Sequence, residues 1–477
     1  MMSRAVLASL SARALAALLA NWRGTTSAPA YTALADRIRL LIVDGRIPLG
    51  TRIPAERELA AHLELSRTTV SSAFGVLRDA GYLHSLRGSG SVARLPERAP
   101  GAADAGPADY LDFTKAAVSA APGIATAAEQ AAAELPGYLG GSGFEPVGVP
   151  VLRAAIAERY RLRGLPTQPE QIMVTIGAQH AIALLARTLL GRGDSALVES
   201  PSYPHAFQAL RSTGARLVPV SVTTDTGWDV AGLEQGLRRT CPALAYLMPD
   251  FHNPTGSTMP PEVRQRMLAL AAREGTVVVA DETMAELSLD GAAYSPLAAH
   301  GAAVSIGSLG KTVWGGLRIG WIRAEPALIQ RLVRARSGGD LGTPILEQLI
   351  AARLLGHYDD ILATRRTQLL AGRNHLTAAL RGRFPDWRVP DVAGGLTLWT
   401  NLGAPVSSQL TIAARSRGLL IAAGPRFGLD GAFERFLRIP FSYPPQEADR
   451  AVDILASAWQ SLSNAPAPES AFLAEVV

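Results

Sequence analysis

The sequence predicts an α/β protein: a small helical N-terminal module with a hairpin, then a larger domain with a mostly parallel sheet and a small C-terminal α+β subdomain. Three observations carry that expectation. Apolar runs at 172–176, 244–248, 276–280 and 304–307 alternate with helical stretches between residues 172 and 324, the pattern of strands joined by crossover helices. Residues 31–95 instead read helix, helix, turn, helix, hairpin. Finally, 477 residues with 48% hydrophobic and 18% charged content leave room for a large core and two or three domains.

The N-terminal module is built on short helices. Leu34, Ile38, Leu41 and Ile42 fall at helical spacing, and Gly45 and Pro48 end that run. Ile53 and Pro54 lead into a short helix at 56–63, and residues 63–65 form the turn. Ser66 is an N-cap for a third helix that buries Val70, Phe74 and Leu77, and Gly81 stops it. Residues 82–95 alternate around Arg87, Gly88, Ser89 and Gly90, which predicts a two-stranded wing. In such a layout the third helix enters the major groove of DNA N-terminus first. Its opening residues Ser66, Arg67, Thr68 and Thr69 offer hydroxyls and one guanidinium to phosphates and base edges. Charge agrees. Residues 1–96 hold 12 Arg against 6 acidic residues, an excess of six, while the whole chain is +5, so the remainder is −1.

The stretches P-A-E-R-E-L-A, L-S-R-T-T-V and L-R-D-A-G-Y-L within residues 54–83 resemble the winged helix-turn-helix of the GntR family. The resemblance implies contacts to a double-stranded DNA operator from Arg57, Ser66, Arg67, Thr68, Thr69, Arg87 and Gly88. Upstream, residues 5–20 look superficially like a signal peptide, but Arg13 interrupts the apolar core, and an amphipathic helix is expected instead. The expected layout is residues 1–95 for this domain (core 31–95), a Pro-, Gly- and Ala-rich linker at 96–109, a large domain at 110–463 and a disordered tail at 464–477.

The large domain is organised around residues 303–321. Of 46 basic residues only two are lysines, Lys115 and Lys311, and Lys311 lies in this stretch. Arg stays protonated, whereas Lys can lose its proton and act as a nucleophile. Ser308 three residues before it and Arg318 seven after it suit a phosphorylated aldehyde bound as a Schiff base. Four other stretches agree. Gly177, Ala178 and Gln179 open a helix after a strand, where backbone N–H groups can meet a phosphate. Tyr203 closes the next strand and can stack on a pyridine ring. Asn253 leaves a buried strand in an N-P-T-G turn, and Asp281 ends the strand at 276–280, where ligands bind in α/β sheets.

The S-x-x-K and G-L-R-x-G patterns around Lys311 resemble fold-type I, class I/II aminotransferases, which use pyridoxal 5'-phosphate. The resemblance implies that Lys311 and Asp281 are the catalytic pair, with Asp281 on the pyridine nitrogen. It also implies that Asn253 donates to the phenolic oxygen and that Arg438 grips a substrate carboxylate. Two positions depart from the family pattern. Thr283 stands where that pattern places a Tyr two residues after the Asp, so efficient turnover is not expected. Gly143 stands where an aromatic residue often reaches the neighbouring subunit's cofactor, which leaves Phe144 or Tyr138 for that role.

A GntR-type module, a linker and an aminotransferase-like domain, in that order, resemble the MocR-type transcriptional regulators. The resemblance implies a domain-swapped homodimer that senses an amine, an amino acid or pyridoxal phosphate itself by aldimine chemistry at Lys311. The alternative is an active aminotransferase carrying a DNA-binding module. A single cysteine, Cys241, excludes a disulfide framework, no run of eighteen apolar residues predicts a membrane span, and no metal is expected. A cytoplasmic, nucleoid-associated protein is expected.

Overall fold

The structure is a computed structural model. It describes residues 9–19, 22, 29–43, 46–86, 90–94, 110–429 and 431–463. Arg87, Gly88, the expected linker at 96–109 and the expected tail at 464–477 lie outside the described residues. The chain divides into two compact units, one holding residues 1–111, 408–418 and 457–477, the other 112–407 and 419–456.

In the first unit the predicted helices form at Ala12–Leu19, Ala30–Val43, Glu56–His62 and Arg67–Asp79. Leu15, Leu19, Leu34, Ile38, Leu41, Val70, Phe74 and Leu77 meet in one buried cluster, so helical spacing in the sequence becomes a shared core. Of the stretch at residues 5–20, residues 5–8 and 20 lie outside the described residues, and the helix Ala12–Leu19 brings Leu15 and Leu19 into that core. The wing strands Leu83–Leu86 and Gly90–Ala93 pair antiparallel. A third strand, Arg52–Ile53, adds to Gly90–Ala93 with Arg52 opposite Val92. The sequence showed these two residues only as a lead-in to a helix, because two residues carry no periodicity.

The second unit is centred on an eight-stranded sheet. Its order is Ile172–Thr175, Gly320–Arg323, Val304–Ser308, Val277–Asp281, Leu244–Leu247, Ser195–Ser200, Arg216–Thr223, Gly227–Trp228. The four central pairings are parallel, and those at both edges are antiparallel. Each central strand is buried on both faces. Tyr246 and Val279 pack toward the helices Ala178–Leu189 and Pro204–Arg211, while Ala245, Leu247, Val278 and Ala280 pack toward Val230–Thr240 and Pro261–Arg273. Such two-sided burial explains why these strands read as continuous apolar runs rather than alternating ones.

Gly320–Arg323 departs from a simple parallel pattern. Only eleven residues, 309–319, separate it from Val304–Ser308, too few for a crossover helix, so the chain reverses and returns antiparallel. That reversal carries Lys311. A smaller antiparallel sheet, Thr397–Asn401, Phe436–Pro440 and Ala422–Ala423, forms the expected C-terminal subdomain, with Trp399 stacked on Phe436 at 5.2 Å. No described helix is long and apolar enough to cross a membrane.

Candidate functional site

Five strand ends open on the same edge of the large sheet. Ile172–Thr175 runs on to Gly177, Ser195–Ser200 to Tyr203, Leu244–Leu247 to Asn253, while Asp281 and Ser308 terminate their own strands. The carboxyl edge of a parallel sheet is where side chains from separate crossovers converge, so residues more than a hundred positions apart share one site.

At one end the backbone forms a cradle. Gly177 has φ of 78°, and a Cβ there would fall 2.6 Å from the Arg318 Nη2. A Cβ on Gly320 would lie 2.6 Å from the Gly177 carbonyl carbon. Two glycines thus let the returning strand press Arg318 against the start of the helix Ala178–Leu189, and no side chain caps that helix. Arg318 Nη2 donates to the Ile176 carbonyl at 3.0 Å. The Ser308 hydroxyl donates to the Ile319 carbonyl at 2.9 Å and accepts from the Gly310 amide at 3.1 Å, which ties down the start of the lysine loop. Gln179 points elsewhere: its Nε2 donates to the His205 carbonyl at 3.2 Å. Of the expected trio, Gly177 and Ala178 therefore supply backbone to the cradle, and the Gln179 side chain turns aside.

Lys311 stands in the middle of the site. Its Nζ donates to the Ala116 carbonyl at 2.5 Å. Burial lowers its pKa to about 8, the Arg438 guanidinium adds to the fall, and Asp281 opposes it. Asp281 is itself buried, and burial raises its pKa above the ordinary carboxylate value. Its Oδ2 accepts from the Tyr246 hydroxyl at 2.6 Å and its Oδ1 from the Thr283 amide at 3.1 Å. Thr283, the departure noted in the sequence, thus supports Asp281. Tyr203 stacks on His205 with centroids 5.2 Å apart.

Arg438 comes from the small sheet. Its guanidinium lies 4.9 Å above the Phe427 ring and donates to the Thr114 carbonyl. Burial lowers its pKa to about 10, and Arg426 pushes the same way. Its Nε is buried without a partner, as is the Asn253 Oδ1. Buried polar atoms left unpaired are costly unless a ligand meets them.

Two groups lie outside the set that the sequence singles out. In the sequence Tyr246 is only one residue of an apolar strand. Its position opposite Asp281 on the neighbouring strand, two residues out of register, is a tertiary fact. The second group is a buried brace under the Asn253 turn. Glu199 accepts from the Trp228 indole at 2.7 Å and the Met248 amide at 2.8 Å, and its carboxylate lies 3.3 Å from His252. The signal was present: a glutamate at the end of an otherwise apolar strand has to find partners.

The two aromatic candidates separate. Tyr138 packs against the buried cluster of Leu152, Ile156 and Leu349, whereas Phe144 is 62% exposed.

A pyridoxal phosphate suits these residues. The cradle of Gly177, Ala178 and Arg318 has the charge and close approach that a phosphate needs, Asp281 faces Lys311 electrostatically, and Asn253 and Arg438 hold unpartnered polar atoms.

In the first unit Ser66, Arg67 and Thr68 are exposed at the start of Arg67–Asp79, and Arg57 is exposed in the first turn of Glu56–His62. The Ser66 hydroxyl accepts from the Thr69 amide at 3.0 Å and lies 2.8 Å and 2.7 Å from the Thr68 and Thr69 hydroxyls. Its first task is to cap the helix.

Comparison with known proteins gives two family matches: "Aminotransferase class I and II" over residues 120–455, and "Bacterial regulatory proteins, gntR family" over residues 30–92. The chain is 31% identical over 397 residues to the probable rhizopine catabolism regulatory protein MocR of Rhizobium meliloti, covering 76% of this chain and 79% of that one. It is 30% identical over 462 residues to the HTH-type transcriptional regulator TauR of Rhodobacter capsulatus, covering 86% and 93%. Among solved structures, LysN, the alpha-aminoadipate aminotransferase of Thermus thermophilus complexed with N-(5'-phosphopyridoxyl)-L-leucine, matches with a TM-score of 0.68 at 29% identity, over 74% of this chain and 93% of that one.

Proposed function

Because the chain belongs to the aminotransferase class I and II family, and with its gntR-family unit to the MocR-type regulators that bind DNA and pyridoxal phosphate, we propose that it senses a small amine or amino acid at Lys311 and alters its hold on DNA in response. What supports this reading is the shared site of Lys311, Asp281 and Arg438 in a chain that also carries an exposed helix-turn-helix face. When bound, the cofactor supplies an aldehyde that combines with amines and a pyridine ring that draws electrons. Lys311, with its pKa near 8, presents a partly uncharged amine at neutral pH, where an ordinary lysine presents almost none. Asp281 holds a proton on the pyridine nitrogen, Arg318 and the Gly177 cradle hold the phosphate, and Arg438 holds the effector's carboxylate. Arg57, Arg67, Thr68 and Thr69 meet DNA, joined by Arg87, Gly88 and, beyond its capping role, Ser66.

An effector that binds one conformation better than another shifts the protein between two DNA-binding states. The working unit is a homodimer, domain-swapped so that each DNA module rests on the partner, and part of the pool is held on the nucleoid. Complete transamination is slow, because a threonine rather than a phenol stands two residues after Asp281. The competing reading, a working aminotransferase, draws on the retained Lys311, Asp281, Asn253 and Arg318.

The test is to select DNA that the holoprotein binds, then titrate amines while following both DNA affinity and cofactor absorbance. An amine that changes both in the wild type and neither in Lys311→Ala supports the proposal. Rapid, complete conversion to the pyridoxamine form with unchanged DNA affinity favours the enzyme reading.

A further inference from the structure

The site described above carries more positive charge than its proposed ligands use. Tyr203 lies within electrostatic reach of Arg438, Arg318 and Arg426 and of one carboxylate, Asp281, and Lys311 within reach of Arg438 and Asp281. Nearby acids are already taken: Glu282 by Arg163 at 3.4 Å, Asp250 by Arg264 at 2.5 Å, and Asp340 by Arg336 at 2.7 Å. The cofactor phosphate occupies Arg318 and the helix start, and an α-carboxylate occupies Arg438. Arg426 is left over.

Its place is fixed by the backbone. Arg426 belongs to the short turn Gly424–Phe427. The Phe427 carbonyl accepts from the Ser202 amide at 2.9 Å, the residue before Tyr203, and the Phe427 ring lies under Arg438. Gly424 donates its amide to the Ser407 hydroxyl at 3.3 Å, and a side chain there would collide with the Phe433 carbonyl. The turn is therefore locked between the tyrosine end of the site and the carboxylate-binding arginine. From that position Arg426 lowers the pKa of both Arg438 and His205, after burial as the first cause, and no acid is among the groups that act on Arg438. The Arg426 side chain is exposed, and among the described residues nothing accepts a hydrogen bond from it or pairs with it.

We propose that Arg426 reads a second acid group, so that the effector is an amino acid bearing a carboxylate, sulfonate or phosphonate in addition to its α-carboxylate. This rests on the regulator reading above and narrows its ligand class. Two guanidinium groups within electrostatic reach of each other repel, and one ligand with two anionic ends relieves both, whereas a neutral side chain leaves Arg426 unused.

The experiment compares acid and amide pairs, L-glutamate with L-glutamine and L-aspartate with L-asparagine, on the holoprotein. Binding is read by calorimetry and by the cofactor's absorbance, in wild type, Arg426→Gln and Arg426→Lys. At least one acid should bind about tenfold or more tightly than its amide, as a charge-assisted pair implies. Arg426→Gln should abolish that preference while leaving amide affinity within about twofold. Arg426→Lys should restore part of it. Equal affinity for acid and amide in the wild type overturns the proposal, as does a preference that survives Arg426→Gln. An equal loss for both ligands in Arg426→Gln assigns this residue to the α-carboxylate and overturns it too. If none of the four binds, this inference is overturned, while the regulator reading stands or falls by the amine titration above. A missing acid preference among ligands that do bind sinks only the role of Arg426.

Discussion

At the residue scale, the titration of Lys311 decides what the site can do. Its pKa of about 8 lies below that of a free lysine, so the folded protein gives up this proton before the unfolded chain does. Below pH 8 both states are charged, and the fold carries the full cost of a buried ammonium. As pH rises from about 8 to the ordinary lysine value of about 10.4, the unfolded chain binds more protons, and this residue's contribution to stability improves. The cofactor-free wild type should therefore gain on Lys311→Met across that window in thermal unfolding, with a constant difference below it. Cofactor fixed by borohydride should rise with pH and level off above about 8 in the wild type, and be absent in Lys311→Ala. Label on Lys115, an exposed residue paired with Asp112 at 3.0 Å, would show that the site is wrongly assigned.

Among the elements, the proposed binding functions rest on two helix starts, and each of these depends on a different local device. The helix Ala178–Leu189 has no side-chain cap and relies on Gly177 in a backbone region that disfavours other residues. Gly177→Ala places a methyl 2.6 Å from Arg318, so cofactor affinity should fall by more than about tenfold in a titration followed by absorbance. The helix Arg67–Asp79 is capped by Ser66. Ser66→Ala should cost about 1 kcal/mol of stability in the N-terminal unit, measured by denaturation. Ser66→Asp keeps a good cap but brings a negative charge to the DNA face. It should hold stability and weaken DNA binding, and equal DNA affinity for serine and aspartate would remove this helix start from the interface. Replacing Arg57 and Arg67 together should flatten the salt dependence of DNA binding by about two units of slope.

At the scale of the whole molecule, the second unit exposes large apolar side chains. Leu139 is 69% exposed, Phe144 62%, Leu162 60% and Leu341 55%. Single exposed apolar residues are ordinary, but four such side chains on the ligand-binding unit are what the proposed homodimer would bury. The wild type should sediment as a dimer. Phe144→Asp with Leu139→Asp should shift it to monomer and weaken cofactor retention if an aromatic residue of this segment reaches the partner's site. A monomeric wild type that holds cofactor would rule out the swapped arrangement.

The order and kind of the long elements, and most residues of the candidate site, were legible in the sequence alone. Period and punctuation located the helix Arg67–Asp79, the strand Val277–Asp281 and the lysine segment, because burial of one face imposes its spacing locally. The rarity of lysine singled out Lys311 before any geometry was known. Which residues meet across separate crossovers became visible in the folded chain alone. The fold gave Asp281 a tyrosine partner from the neighbouring strand, set Glu199 beneath the Asn253 turn, turned Gln179 away from the cradle, and left Arg426 unpaired within electrostatic reach of Arg438. It also inserted Gly320–Arg323 antiparallel between two strands, a consequence of a short connection rather than of its own residues. The physical reason is common to all of these. Periodicity reports which face of an element is buried, whereas the partner of a buried polar group is set by strand order and register, which depend on contacts far apart in the chain.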